Sequence, residues 1–141
     1  MTNQRKIRFI EFRKNDADFL FELLLQRSSK ENISHKKMPT HEEHIKFIMS
    51  KPYYKWYIVK KDHDNIGAVY LTQLNEIGIS LVKRFDDEKT KNEVLELIMK
   101  KHPKKRYIVN INPKNKKGIN FFKKRGFRLI QYSYEYVKKV H

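Results

Sequence analysis

The chain has 141 residues, which favours one domain and is long enough to bury a substantial core. Apolar residues make up 39% and cysteine is absent, which excludes an intrinsically disordered chain, a disulfide scaffold and a thiolate metal site. The formal charge of +16 favours an anionic partner, although a lysine-rich composition alone would produce the same charge. We expect a cytoplasmic protein, because no apolar run could span a membrane and no secretory signal follows Met1.

The first half of the chain contains one strand pattern, two helix patterns and three further strand patterns, in that order. The sequence predicts a strand over 7–12 and then a helix containing Phe19, Leu20, Leu23 and Leu24. After a polar loop, Thr40 and Glu43 form a capping box that begins a second helix. Three strands are then expected over 53–60, 66–74 and 76–82, the first two joined as a hairpin.

The second half alternates helix and strand. A charged stretch leads into a helix that ends before Pro103, and a fifth strand is predicted over 107–112. A further helix begins near Asn115 and ends at Gly126, and 127–140 reads as one or two closing strands. The order β-α-α-β-β-β-α-β-α-β(-β) predicts an α/β fold with a mixed sheet and helices on both faces. The fourth and fifth strands, joined by a crossover helix, should be parallel.

Three segments of the chain resemble the GNAT superfamily of acetyl-CoA-dependent N-acetyltransferases. Residues 112–127 are similar to its N-x-x-A-I-x-L-Y-x-K-x-G-F helix, with Gly118 for the small residue and Phe122 at the tyrosine position. Ile66-Gly67 looks like the start of its I-G-x-x-x-L hairpin, and 32–44 looks like the acceptor-side segment of a subgroup often associated with amino sugars. The resemblance covers nearly the whole chain, and it implies one GNAT-like acetyltransferase domain over 1–141.

The resemblance implies an enzyme that moves an acetyl group from acetyl-CoA to a primary amine of a small molecule, an amino sugar being one candidate. By the family mechanism the amine attacks the thioester directly, without a metal. We expect no membrane partner, because no apolar run could span a membrane, and no specific nucleic acid, because no helix-turn-helix, zinc-finger or RNP-like motif is found. Exposed strand edges in this fold leave a homodimer open. Two alternatives remain at this point: a GNAT-fold binding or scaffold protein without catalysis, and a basic nucleic-acid-binding protein.

Residues for the cofactor follow from the same resemblance. The pantetheine arm would lie against the backbone of the fourth strand, and the phosphates would lie near the charged stretch that follows it. Together with the last helix, these regions supply the predicted acetyl-CoA contacts: Ile79, Ser80, Leu81, Lys83, Arg84, Lys89, Thr90, Lys91, Asn112, Asn115 and Phe122. Gly78 suits a bulge or a close approach of other atoms, or is incidental, and Asn115 is equally well explained as a helix cap.

The chain departs from the family at the pyrophosphate loop. GNAT enzymes have a glycine-rich R/Q-x-x-G-x-G/A turn there, whereas 84–92 contains no glycine and carries Asp86, Asp87 and Glu88 in succession. Acids stabilise a helix N-terminus, so Asp86 or Asp87 is expected to cap the third helix. A phosphate 4 Å from such an acid would cost about 4 kcal/mol at an effective dielectric of 20, unless nearby lysines offset it.

Catalytic and acceptor residues are also implied by the resemblance. Glu76 corresponds to the glutamate that many members use as base, and Tyr134 on a closing strand would replace the missing tyrosine as acid; Tyr132 and Tyr136 are alternatives. His35, Met38, His44 and Trp56 are expected to line the acceptor pocket, although surface and packing roles explain the histidines as well. His41 and His44 are three residues apart, which does not fit the i, i+4 spacing of a zinc helix.

Overall fold

The computed structural model describes residues 6–26 and 39–139. Within them, four strands form one antiparallel sheet in the order β1-β2-β3-β4. The strands are β1 (Ile7–Glu11), β2 (Lys55–Lys61), β3 (Asp64–Leu71) and β4 (Ile77–Leu81). In this register Tyr57 lies opposite Val69, and Tyr70 lies opposite Gly78.

Helices cover both faces of this sheet, and each face has its own apolar core. The helices are α1 (Ala17–Gln26), α2 (His41–Met49), α3 (Glu88–Lys101) and α4 (Lys116–Lys124). Ile58 and Ala68 of the sheet pack with α1 and α2, whereas their strand neighbours Val59 and Val69 pack with α3 and α4. This alternation follows from the period of two along a strand and confirms the predicted α/β fold with helices on both faces.

Local capping signals place several helix ends where the sequence predicts them. The Thr40 hydroxyl accepts a hydrogen bond from the Glu43 N–H at 3.1 Å, and the Glu43 carboxylate accepts one from the Thr40 N–H at 3.0 Å. Gly126 follows α4 with a φ of +90°, a conformation that favours glycine. None of the described helices is long and apolar enough to cross a membrane.

The predicted fifth strand is reduced to a single bridge. Ile108 pairs with Glu76 in the parallel orientation that the crossover predicts. The Ile77 N–H donates to the Ile108 carbonyl at 2.8 Å, and the Ile108 N–H donates to the Asn75 carbonyl at 2.9 Å. On one side of the bridge, the Tyr107 hydroxyl hydrogen-bonds to the Met99 and His102 carbonyls at the end of α3.

The closing strands are a wrong prediction for this structure. Residues 127–139 form no helix or strand, and Tyr134, expected on the last strand, is 93% exposed. An alternating pattern forms a strand only beside another strand with unpaired backbone groups. Because 107–112 does not extend beyond one bridge, the sheet offers these residues no complete edge on that side.

Candidate active site

Glu76 is held rigidly at the point where the chain enters β4. Its Oε1 accepts a hydrogen bond from the Thr72 hydroxyl at 3.1 Å, and its Oε2 accepts one from the Asn110 side-chain amide at 2.6 Å. The Thr72 hydroxyl in turn accepts from the Glu76 N–H at 3.0 Å. The carboxylate is therefore fixed between two chain segments, and the residue remains partly exposed. Such a group can accept a proton from a bound molecule or from water.

Beyond Glu76, β4 has an edge that faces away from β3. Backbone groups alternate in direction along an antiparallel strand. The Val82 N–H donates inward to the Ile66 carbonyl, whereas the Ile77 N–H donates outward to Ile108. By this alternation, the backbone groups of Ile79 and Leu81 point outward as well. Of the three residues predicted to offer backbone groups to the cofactor, Ile79 and Leu81 present theirs at the outer edge of β4, whereas the Ser80 backbone faces β3.

Tyr70 lies over Gly78 and supplies a hydroxyl that the sequence analysis missed. A β-carbon on Gly78 would overlap the Tyr70 ring and lie 2.5 Å from its hydroxyl oxygen. The register of β3 and β4 is regular there, so close approach rather than a bulge explains this glycine. The Tyr70 ring also stacks on Tyr53, with centroids 3.9 Å apart and an interplanar angle of 6°. Its hydroxyl therefore lies beside Gly78, which follows Glu76 by two residues in the chain.

An aromatic cluster extends this face of the sheet toward α2. Trp56, predicted as an acceptor residue, packs with Phe12 at 5.3 Å, Phe47 at 6.3 Å and Tyr53 at 4.8 Å between ring centroids. Trp56 and Tyr70 are cross-strand neighbours on β2 and β3. Together with Tyr53 they form an aromatic wall on the face of the sheet where the Tyr70 ring covers Gly78.

Of the other predicted acceptor residues, His44 alone lies within the described part of the chain. His44 is buried at the inner side of α2, with its ring 5.4 Å from Phe21 and 6.5 Å from Phe47, which fits a packing role. His35 and Met38 lie outside the described residues. The neighbouring His41 is exposed and its Nε2 is 2.9 Å from Asp18 Oδ1. Within 6–26 and 39–139, no three histidine, aspartate or glutamate side chains are grouped as metal ligands.

Acids at the start of α3 are engaged by the helix and by cations. Asp87 is the N-cap, and its Oδ1 accepts from the Thr90 N–H at 2.7 Å. That hydrogen bond lowers the pKa of Asp87 by more than desolvation raises it, and Lys61 and Lys89 lower it further. Glu88 Oε1 lies 3.4 Å from the Arg125 guanidinium and 3.6 Å from Lys124 Nζ. The expected cap is therefore Asp87, and Glu88 is paired with two cations.

The predicted phosphate-binding residues fall into two groups. Lys83, Arg84 and Lys89 are exposed beside the start of α3, where their cations can meet an anion. Thr90 is buried and uses its N–H for the cap. Lys91 Nζ lies over the Phe121 and Phe122 rings, 5.0 Å and 5.5 Å from their centroids.

Three further predicted cofactor residues have structural roles. Asn115 caps α4, because its side-chain oxygen accepts from the Gly118 N–H at 3.0 Å. The Asn112 side-chain oxygen accepts from the Lys114 N–H at 2.9 Å and stabilises the preceding turn. Phe122 is buried in the α3/α4 core against Phe121 and Phe127. The amide nitrogen of Asn115 remains a group that could donate to a ligand.

No protein-family model and no curated protein matches the sequence. Among solved structures, a domain from Methanocaldococcus jannaschii matches with 24% identity and a TM-score of 0.71 over 94% of each chain. RimL, a ribosomal L7/L12 α-N-protein acetyltransferase in complex with coenzyme A, matches with 13% identity and a TM-score of 0.67 over 93% of this chain and 84% of its own. SpeG, a spermidine/spermine N-acetyltransferase from Vibrio cholerae, matches with 13% identity and a TM-score of 0.65 over 86% and 79%. These likenesses show that the chain has the GNAT-like fold that its sequence resembles.

Proposed function

We propose that the protein is an N-acetyltransferase that transfers an acetyl group from acetyl-CoA to a primary amine of a small molecule. The observation that carries this proposal is the Glu76 carboxylate, which Thr72 and Asn110 fix at the single bridge between the start of β4 and Ile108. Beyond this bridge β4 and the segment 107–112 are no longer paired, so the two segments separate there. In the GNAT arrangement, the thioester end of acetyl-CoA lies at this separation. The CoA-bound neighbour RimL supports the choice of donor. An amino sugar is the specific acceptor that the sequence resemblance favours.

The proposed reaction uses Glu76 as general base. The carboxylate accepts a proton from the acceptor ammonium, directly or through water, and the neutral nitrogen attacks the thioester carbonyl carbon. The carbon–sulfur bond then breaks and its electron pair leaves with sulfur. The nitrogen loses a second proton as the amide forms, and the thiolate takes up a proton. No covalent intermediate on the protein is required.

Tyr70 is our candidate for the proton donor to the leaving thiolate. Phe122, at the usual tyrosine position, has no hydroxyl and is buried. The Tyr70 hydroxyl lies over Gly78, two residues after Glu76 in the chain, and the Tyr70 ring stacks on Tyr53. Tyr134 could serve only if 127–139 became part of a sheet. A thiolate leaves readily, so this donor accelerates the reaction without being essential.

Acetyl-CoA binding would then rest on backbone and cations rather than on a glycine turn. The outward backbone groups of Ile79 and Leu81 would bind the pantetheine arm. Lys83, Arg84 and Lys89 would neutralise the phosphates beside the start of α3. Because Asp87 is committed to its cap and Glu88 to two cations, the acids repel a phosphate less than their number suggests.

A second candidate function is a GNAT-fold binding protein without catalysis. The observation that favours it is the start of α3, where the Asp87 side chain occupies the N-cap of a loop without glycine. In GNAT enzymes, backbone N–H groups at this helix start bind the pyrophosphate. The two candidates differ in whether acetyl-CoA binds at all.

Calorimetric titration with acetyl-CoA at moderate salt, with ATP as the control for general anion binding, separates the candidates. Micromolar binding of acetyl-CoA but not of ATP supports the enzyme, and thiol release with a panel of amines then identifies the acceptor. Glu76→Gln should lower kcat/KM about 10²–10⁴-fold, and Glu22→Gln, at an exposed position of α1, should have no effect. If acetyl-CoA does not bind at about 1 mM, the acetyltransferase proposal is wrong.

A further inference from the structure

Cations are concentrated where the chain leaves α3. Five of the seven residues 100–106 are Lys or Arg, and none is an acid. Lys100 and Lys101 lie in the last turn of the helix, where the helix dipole stabilises positive charge. The dipole effect falls off within that turn. It therefore does not explain the three exposed cations of 104–106, which follow the helix.

Tyr54, which precedes β2, meets this cationic run from the side of the sheet. The residue is 49% exposed. The Nζ atoms of Lys55 and Lys104 each lie 5.6 Å from the centroid of the Tyr54 ring, a distance at which a cation is attracted to the ring face. One exposed aromatic ring is thus accompanied by two cations from different chain segments. We call Tyr54, Lys55, Lys101 and Lys104 the basic patch.

The three lysines of the basic patch act on one imidazole. Burial lowers the pKa of His102, and the charges of Lys55, Lys101 and Lys104 lower it further. Within the part of the chain that the structure describes, Lys101 and Lys104 form no ion pair with a carboxylate. Lys55 Nζ lies 3.7 Å from Oε1 of Glu11, whose side chain is 76% exposed. The basic patch therefore has an excess of positive charge that its described neighbours do not neutralise.

The basic patch is separate from the residues proposed to bind acetyl-CoA. It lies at the end of α3, whereas Lys83, Arg84 and Lys89 lie beside the start of this helix, whose 14 residues make it about 20 Å long. It is also on the other face of the sheet from the aromatic wall. Tyr57, over which one lysine of the patch lies, packs in the core with α3 and α4, whereas Trp56 packs in the core with α1 and α2.

We propose that the basic patch binds single-stranded nucleic acid without sequence preference. A base stacks on the exposed part of the Tyr54 ring, and the neighbouring phosphates bind the ammonium groups of Lys55, Lys101 and Lys104. Proteins that bind single strands combine cations with aromatic rings in this way, because every base has a π face. An acidic protein segment would use the cations but would not need the exposed ring. The ring beside two lysines therefore favours a nucleic acid.

The salt dependence of binding tests the contribution of the lysines. The probe is a fluorescent oligothymidylate of about 12 nucleotides, followed by anisotropy. Lys101→Ala with Lys104→Ala should reduce the slope of log K against log salt by about 1.4, because each phosphate contact on a single strand contributes about 0.7. Lys14→Ala with Lys46→Ala removes the same charge at two other exposed positions and should leave the slope unchanged.

An abasic strand of the same length tests the contribution of the ring. It has the same phosphates but no bases, so it should bind the unmodified protein about tenfold more weakly. Tyr54→Ala should bind the two strands equally, whereas Tyr54→Phe keeps the ring and should retain the preference for bases. Because Tyr54 is exposed and belongs to neither core, Tyr54→Ala should fold normally.

Three results would overturn the proposal. The first is an equal change of the salt slope in the two double-lysine variants, which would mean that net charge alone causes binding. The second is no binding at about 100 μM protein in about 50 mM salt, and the third is a preference for bases that survives Tyr54→Ala. A polyglutamate peptide that binds as tightly as the oligothymidylate would also overturn it, in favour of an acidic protein partner. No probe contains acetyl-CoA, so these outcomes are independent of the acetyltransferase proposal.

Discussion

The ring of Tyr70 occupies the space into which a β-carbon on Gly78 would project. The two residues lie directly opposite each other on β3 and β4, and the Tyr70 ring also stacks on Tyr53. The glycine therefore leaves space for the Tyr70 ring, and it places the Tyr70 hydroxyl beside a residue that follows Glu76 by two positions. Packing of the hairpin and the geometry of the candidate site depend on the same pair.

Gly78→Ala should destabilise the protein and disturb the site together. The new methyl group would force the Tyr70 ring away from its stack, and overpacking of this kind costs about 1–3 kcal/mol. Urea unfolding measures the loss. The double variant with Tyr70→Ala should show much less than the sum of the two single losses, because the clash is removed. Additive losses would mean that the ring and the methyl group do not compete for the same space.

Tyr70→Phe should lower kcat while leaving stability and the KM for acetyl-CoA nearly unchanged. The ring and its stack remain, and only the hydroxyl proposed as donor is lost, so a decrease of roughly 10²-fold is expected. Tyr53→Phe is the matched control, since it keeps the stack and the Tyr70 hydroxyl. Equal effects of the two substitutions on kcat would show that the Tyr70 hydroxyl has no special part in the reaction.

The Asp87 carboxylate should stabilise the protein at neutral pH, and this contribution should be lost in acid as the carboxylate takes up a proton. Its folded pKa is lowered, chiefly by the Thr90 N–H, so the unfolded chain binds more protons and stability falls as pH falls from the ordinary value of 3.8 through the folded pKa. Asp87→Ala should cost about 1 kcal/mol at neutral pH. Asp87→Asn keeps a cap but does not titrate, so its free energy of unfolding should lose this pH dependence. An unchanged acid profile in Asp87→Asn would contradict this origin.

Features set by a few neighbouring residues were predictable from the sequence, and features set by distant pairing were not. The Thr40–Glu43 box and the Asp87 cap are local, because each joins groups within three residues. The position of Tyr70 depends on the β3–β4 register, which pairs it with a residue eight positions away. Only the observed pairing of β3 with β4 shows that the Tyr70 side chain lies over Gly78.

The prediction of closing strands was wrong for a related reason. Alternation in 127–140 indicates a strand but does not say which edge it joins, and the described part of the chain provides only the bridge at Ile108. Phe122 illustrates the same limit in the site. Its position in the resembling helix suggested a cofactor contact, whereas its burial against Phe121 and Phe127 depends on the packing of α4 upon the sheet.

His102, whose Nε2 is hydrogen-bonded to the Tyr57 hydroxyl, should make stability depend on pH below 6.5. The two side chains form a hydrogen bond of 2.7 Å between the Tyr57 hydroxyl and His102 Nε2. Burial lowers the pKa of His102 from its ordinary value of 6.5, and Lys55, Lys101 and Lys104 lower it further. Below pH 6.5 the unfolded chain therefore binds more protons at this residue than the folded chain does, and stability falls as pH falls from 6.5 toward the folded pKa.

His102→Gln removes this titration, and its free energy of unfolding should lose the part of the pH dependence that begins at 6.5 and continues toward lower pH. Tyr57→Phe keeps the buried ring and the histidine, should cost about 1 kcal/mol, and should retain most of the pH dependence, because burial and the lysines remain. If His102→Gln keeps the original pH profile, another group causes the loss of stability in acid.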